Sequence, residues 1–93
     1  MQRYDNLWLT PHQIENIYTG RQRHNYGLDD CARIIRNSIT FWTDPEDLRE
    51  YWWGRAENGK DVMVVVSAGA SDAMSYGGIV TAYEEDKPSW WFT

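Results

Sequence analysis

The alternation of apolar and polar residues divides the chain into two halves of different period. In the first half, Thr10-Pro11 has the form of a helix start: a hydroxyl can cap free amides, and proline stands where its missing N–H does no harm. Ile14, Ile17 and Tyr18 then fall on one helical face, and Gly20 stops the helix. The polar stretch 21–25 follows as a loop. From Leu28, the spacing of Leu28, Cys31, Ala32, Ile34 and Ile35 predicts a second amphipathic helix. Asp29 and Asp30 sit in its first turn and Arg33 and Arg36 in its last, as the helix dipole favours.

After Asn37 the pattern changes to one suited to strands. Residues 38–43 predict a first strand, Asp44-Pro45 ends it, and residues 50–56 form a second. Glu57-Asn58-Gly59-Lys60 is a hairpin signal, because Asn-Gly tolerates positive φ. The third strand, 61–67, contains the apolar run Val62-Met63-Val64-Val65-Val66, which suits a central strand covered on both faces. Small residues at 68–73 read as a loop, and 77–83 as a fourth strand. The expected architecture is therefore α+β: two short N-terminal helices followed by a four-stranded antiparallel β-meander. It forms a single domain over residues 1–93, with 87–93 as an aromatic C-terminal tail.

Composition narrows the possible functions. The 93 residues suffice for one core, and six tryptophans in so short a chain require some indoles to be partly exposed. The single Cys31 can form neither an internal disulfide nor a thiolate zinc site, and it reads as a buried thiol. There is no apolar run of 18 residues and no basic-then-apolar leader, so a cytoplasmic protein without membrane contact is expected. The net charge of −5 opposes non-specific binding to polyanions, although Arg21, Arg23, His24, Arg33 and Arg36 gather in the helical half. Glu84, Glu85 and Asp86 close the other half. Phosphate-binding glycine loops, metal-ligand spacings and serine elbows are all missing from the sequence, so no cofactor or metal is expected.

The remaining candidates are polar and aromatic. Tyr51, Trp53 and Arg55 share one face of the second strand, and Ile79, Thr81 and Tyr83 one face of the fourth. If the two faces coincide, an arginine, a threonine, a tyrosine and flanking rings form a patch able to hold a phosphodiester and stack a base. The plainer alternative pairs Arg55 with Glu57 or Glu50 on a solvated face. His24 has the pKa range of a general base, whereas His12 lies in a helical first turn, where a protonated ring is disfavoured. Trp90, Trp91 and Phe92 either fold back over the sheet or present an apolar contact to a partner.

Four stretches taken in order carry a likeness: Asn25-Tyr26-Gly27-Leu28 opening the second helix, Tyr51-Trp52-Trp53-Gly54-Arg55 running into the turn, the apolar strand 61–67, and Gly78-Ile79-Val80-Thr81-Ala82-Tyr83. Together they resemble the BrnT-like branch of the RelE-type ribonuclease toxins over roughly residues 12 to 86. Tyr26 stands where that family usually has histidine, and Tyr83 where it has arginine. The resemblance implies a growth-inhibitory endoribonuclease that cleaves RNA without metal, the ribose 2′-OH attacking the adjacent phosphate. Arg55 would stabilise the phosphorane charge, His24 or Tyr83 would transfer the proton, and Arg23, Trp53 and Thr81 would bind substrate. It also implies a cognate antitoxin as partner. Three further expectations stand beside it. The chain is a non-catalytic phage or mobile-element protein that inhibits a host protein on the same scaffold, with Trp90, Trp91 and Phe92 as contacts. It is an acidic immunity or antitoxin protein. Self-association into a homodimer is compatible with each of these readings.

Overall fold

The computed structural model describes residues 3–19, 26–70 and 75–91. Its elements run β1 (Asn6–Leu9), α1 (Pro11–Thr19), α2 (Leu28–Asn37), β2 (Phe41–Thr43), β3 (Glu50–Arg55), β4 (Asp61–Ala70) and β5 (Ser75–Glu84). The strands form one five-stranded sheet in the order β1-β5-β4-β3-β2. This corrects the expected four-stranded antiparallel meander. The sheet is mixed, because β1 pairs in parallel with β5, and a strand precedes both helices. Asn6–Leu9 escapes a periodicity reading because four residues give only two turns of alternation, set between polar neighbours.

Strands β2 to β5 do form an antiparallel meander, with β4 in the middle of the sheet and Val62, Met63, Val64, Val65 and Val66 all buried. Three boundaries differ by more than one residue from those expected. The first meander strand begins at Phe41 instead of residue 38, because Ser38 turns its hydroxyl onto the carbonyls of Ile34 and Trp53. Strand β4 continues through the small residues to Ala70, and β5 starts at Ser75, so residues 68–70 of the expected 68–73 loop are strand and 71–73 lie outside the described residues. Gly69 can pair there because the Tyr76 ring occupies the space that a Cβ would fill. The β3–β4 hairpin turns as expected, with Gly59 at φ +85°.

Helix α2 and the underside of the sheet build the main core. Cys31, Ile34 and Ile35 pack with Trp52, Val62, Val64, Val66, Ile79 and Ala82, joined by Tyr4 and Tyr26. Helix α1 is rotated the other way. It buries Gln13 (0% exposed) and Asn16 (4%), while Ile14 is 41% and Tyr18 85% exposed. The cause is local: one residue links β1 to α1, and that residue, Thr10, is fastened to β5. Its N–H and its hydroxyl both donate to the Ile79 carbonyl, at 3.0 and 2.7 Å. The same hydroxyl accepts from the Gln13 N–H at 3.4 Å, a weak N-cap. With its first turn pinned, the helix cannot rotate its apolar side inward, and the Gln13 amide instead donates to the Tyr26 carbonyl at 3.1 Å.

A second correction concerns the faces of β5. The ladder shifts between Val65 and Val66, so that Val65 faces Thr81 and Val66 faces Ile79. The extra residue, Val80, changes the side on which the preceding residues point. Ile79 therefore belongs to the helix-side core, while Thr81 and Tyr83 stay on the opposite face, instead of all three sharing one.

Candidate functional site: the open sheet face

The face turned away from the helices collects most of the residues singled out in the sequence. Register places Trp53 of β3 opposite Met63, and Met63 opposite Tyr83 of β5, while Tyr51 lies opposite Val65, and Val65 opposite Thr81. Arg55 faces Asp61 at the hairpin end. The expected coincidence of the two strand faces is therefore present for Tyr51, Trp53, Arg55, Thr81 and Tyr83. Counting two strand spacings and a two-residue offset, the Arg55 and Tyr83 Cα atoms stand about 12 Å apart. His24, Arg23 and Phe92 lie outside the described residues.

Trp53 is only 9% exposed, because the tail folds back over it. The Trp91 ring meets it edge-on at 5.1 Å, the Trp53 indole N–H donates to the Glu85 carbonyl at 2.9 Å, and Trp90 packs alongside. A ring so covered leaves little open face on which a base could stack. Arg55 is 74% exposed and pairs with Asp61 at 3.6 Å, not with Glu57 or Glu50. Glu57 lies instead 3.9 Å from Arg33, and Glu50 is taken up elsewhere. Between Arg55, Asp61, Asn37, Trp53 and Trp91 opens a cleft of about 340 Å³.

Two tyrosine hydroxyls on this face, those of Tyr83 and Tyr51, are held in their protonated form. Tyr83 is pushed above the ordinary tyrosine range by burial first, then by the Glu85 carboxylate and by Tyr51. Tyr51 is shifted the same way by burial, then by Asp47 and Asp44. Either group can donate a hydrogen bond near neutral pH, and neither can act there as a base.

Sequence reasoning missed several members of this face. Trp42 of β2 leans on Tyr51 at 5.5 Å, and Trp8 of the unforeseen β1 stacks on Tyr76 at 5.3 Å. Carboxylates flank the rings at both ends: Asp44 and Asp47 beside Tyr51, and Asp61, Glu84, Glu85 and Asp86, with Lys60 among them, around a second cleft near the hairpin. Arg55 is the only basic side chain at a strand position of this face among the described residues. The register Arg55 opposite Asp61 was not available from the Asn58-Gly59 signal, because equal steps from that pair put Arg55 opposite Val62.

A further polar cluster lies on the helix side. Buried Glu50 accepts from Arg3 Nε at 2.9 and 3.1 Å and from Arg3 Nη2 at 2.8 Å, and it also accepts from the Tyr4 hydroxyl. The guanidinium lies 4.4 Å from the centre of the Phe41 ring. Burial, then Glu50, raises the Tyr4 hydroxyl well above its usual range. Both carboxylate oxygens are occupied, so this cluster clamps the N-terminal segment to β3 and leaves no spare base.

Among the described residues, no group of three or more His, Cys, Asp or Glu is placed to hold a metal ion. No helix there is long and apolar enough to cross a membrane. No family model matches the sequence, and no curated protein is significantly similar to it.

Proposed function

We propose that this protein is a non-catalytic binding protein whose open sheet face docks onto a basic surface of another protein and blocks it. The observation that carries the reading is the composition of that face: aromatic rings in the centre, carboxylates at both ends, and one arginine already paired with Asp61. Tyrosine and tryptophan supply most of the energy of protein interfaces, with charged groups at the rim setting partner and approach rate. Phosphate binding calls for the opposite sign of charge.

The test uses the intact protein as bait, with Tyr51→Ala and Glu85→Lys variants beside it. A basic protein retained by the parent, released by salt and lost with both variants supports the reading. A partner held equally well by all three, or an acidic one, sinks it.

The endoribonuclease reading keeps one observation in its favour: Arg55, Thr81 and Tyr83 occupy a single face, with a cleft opening at Arg55. On that reading Arg55 would stabilise the phosphorane and Tyr83, which keeps its proton, would be the acid. The base would have to come from His24. A positioned base contributes about 10²–10⁴-fold, so cleavage without one would be slow.

A further inference from the structure

Helix α1 leaves an apolar surface uncovered at the β1 edge of the sheet. Leu9, Ile14, Ile17 and Tyr18 line a groove of about 260 Å³ there, and Tyr18 is the most exposed of the four. Strand β1 is the outermost strand. The Thr10 N–H bonds to the Ile79 carbonyl, so Thr10 and Trp8 direct their backbone groups toward β5, and alternation turns those of Leu7 and Leu9 outward. Apolar side chains and outward backbone groups thus share one edge.

We propose that this edge is the interface of a homodimer, in which two β1 strands run antiparallel across a two-fold axis and the two α1 helices meet through Ile14 and Tyr18. The charge distribution selects a second copy as the occupant. The chain carries a net −5, yet residues 6–19 contain one formally charged side chain, Glu15. The carboxylates concentrate instead at 44–47, 61 and 84–86. Two copies of an acidic protein repel least when they meet at the edge almost free of charge, and an apolar, self-complementary edge suits an isologous contact. A basic partner, by contrast, gains nothing from this edge. The pairing also covers a strand that would otherwise expose its outer side. The helix rotation that turns Ile14 and Tyr18 outward has a role in this arrangement: it keeps the interface apolar while Gln13 and Asn16 fill the interior.

Sedimentation velocity on the intact protein at about 100 µM tests this. The expected mass is about 22 kDa, twice the 11.0 kDa of the chain, falling to the monomer value in an Ile14→Ser/Tyr18→Ser double variant. Both side chains are exposed, so the variant should keep its circular dichroism spectrum, and Trp42→Ser at the far edge should leave the dimer intact. A monomeric parent overturns the proposal. So does a dimer that survives the double variant or is broken by Trp42→Ser.

Discussion

The two helices, nearly equal in length, obey opposite rules. Helix α2 follows its periodicity, turning Cys31, Ile34 and Ile35 into the core and leaving Asn37 and Arg36 outside. Helix α1 buries two amides and exposes an isoleucine and a tyrosine. The difference lies in how each begins. Helix α2 follows Gly27 without a side-chain cap, so burial alone sets its rotation. Helix α1 leaves β1 through one residue that is hydrogen-bonded to Ile79, and that connection fixes its rotation before side-chain burial can act. Hydrophobic patterning decides orientation where the backbone is free to turn, and a short bonded connection overrides it.

Substitutions can break this contrast, beginning with the largest effect. Ile34→Ala should cost about 2–5 kcal/mol, since Ile34 is almost fully buried and the site cannot collapse around the cavity. Its urea midpoint would show this. Next comes Gln13→Leu, which leaves the buried Tyr26 carbonyl with only the weak Cys31 thiol donor at 3.8 Å and should cost about 1–3 kcal/mol, even though the change is to an apolar residue. In an ordinary amphipathic helix the same change would be harmless. A stable Gln13→Leu protein would show that α1 is not held as described.

Helix α2 should also show itself in alkali. Burial pushes the Cys31 thiol up from 9.0 to about 12, with Asp30 adding to the shift. Because the folded-state value is raised, the unfolded chain loses its proton first. The stability present below pH 9 therefore falls between pH 9 and 12, by up to about 1.4 kcal/mol per pH unit. Denaturation at stepped pH should show that part of the slope disappear in Cys31→Ala. Smallest of all, Ile14→Ala should shift the stability of the isolated protomer by less than about 0.5 kcal/mol, because the side chain is exposed there.

Much of this was legible in the residues themselves. The Asn58-Gly59 turn, the apolar centre of β4 and the second helix each depend on local chemistry, and each stands where that chemistry put it. Strand alternation assigned the faces of β3 and β5 separately and left their coincidence open; the register through β4 unites Trp53, Arg55, Thr81 and Tyr83. What escaped depends on contacts distant in sequence. The short β1 is a strand because β5 pairs with it, and the bulge at Val65/Val66 that separates Ile79 from Thr81 has no glycine to announce it. At the candidate site, the residue types suggested phosphate chemistry, but the tail that covers Trp53 and the partner that engages Arg55 are tertiary facts. The flanking carboxylates stood in the sequence throughout, and the fold gathers them around one set of rings.

Inducing the intact protein in a bacterial host beside its Arg55→Ala variant, and following growth together with the integrity of total RNA, tests most directly whether the open face binds protein instead of cutting RNA. Intact RNA in both cultures, whatever their growth, is the predicted result. Cleaved RNA in the parent culture alone would contradict it and return Arg55 to the centre of a nuclease site.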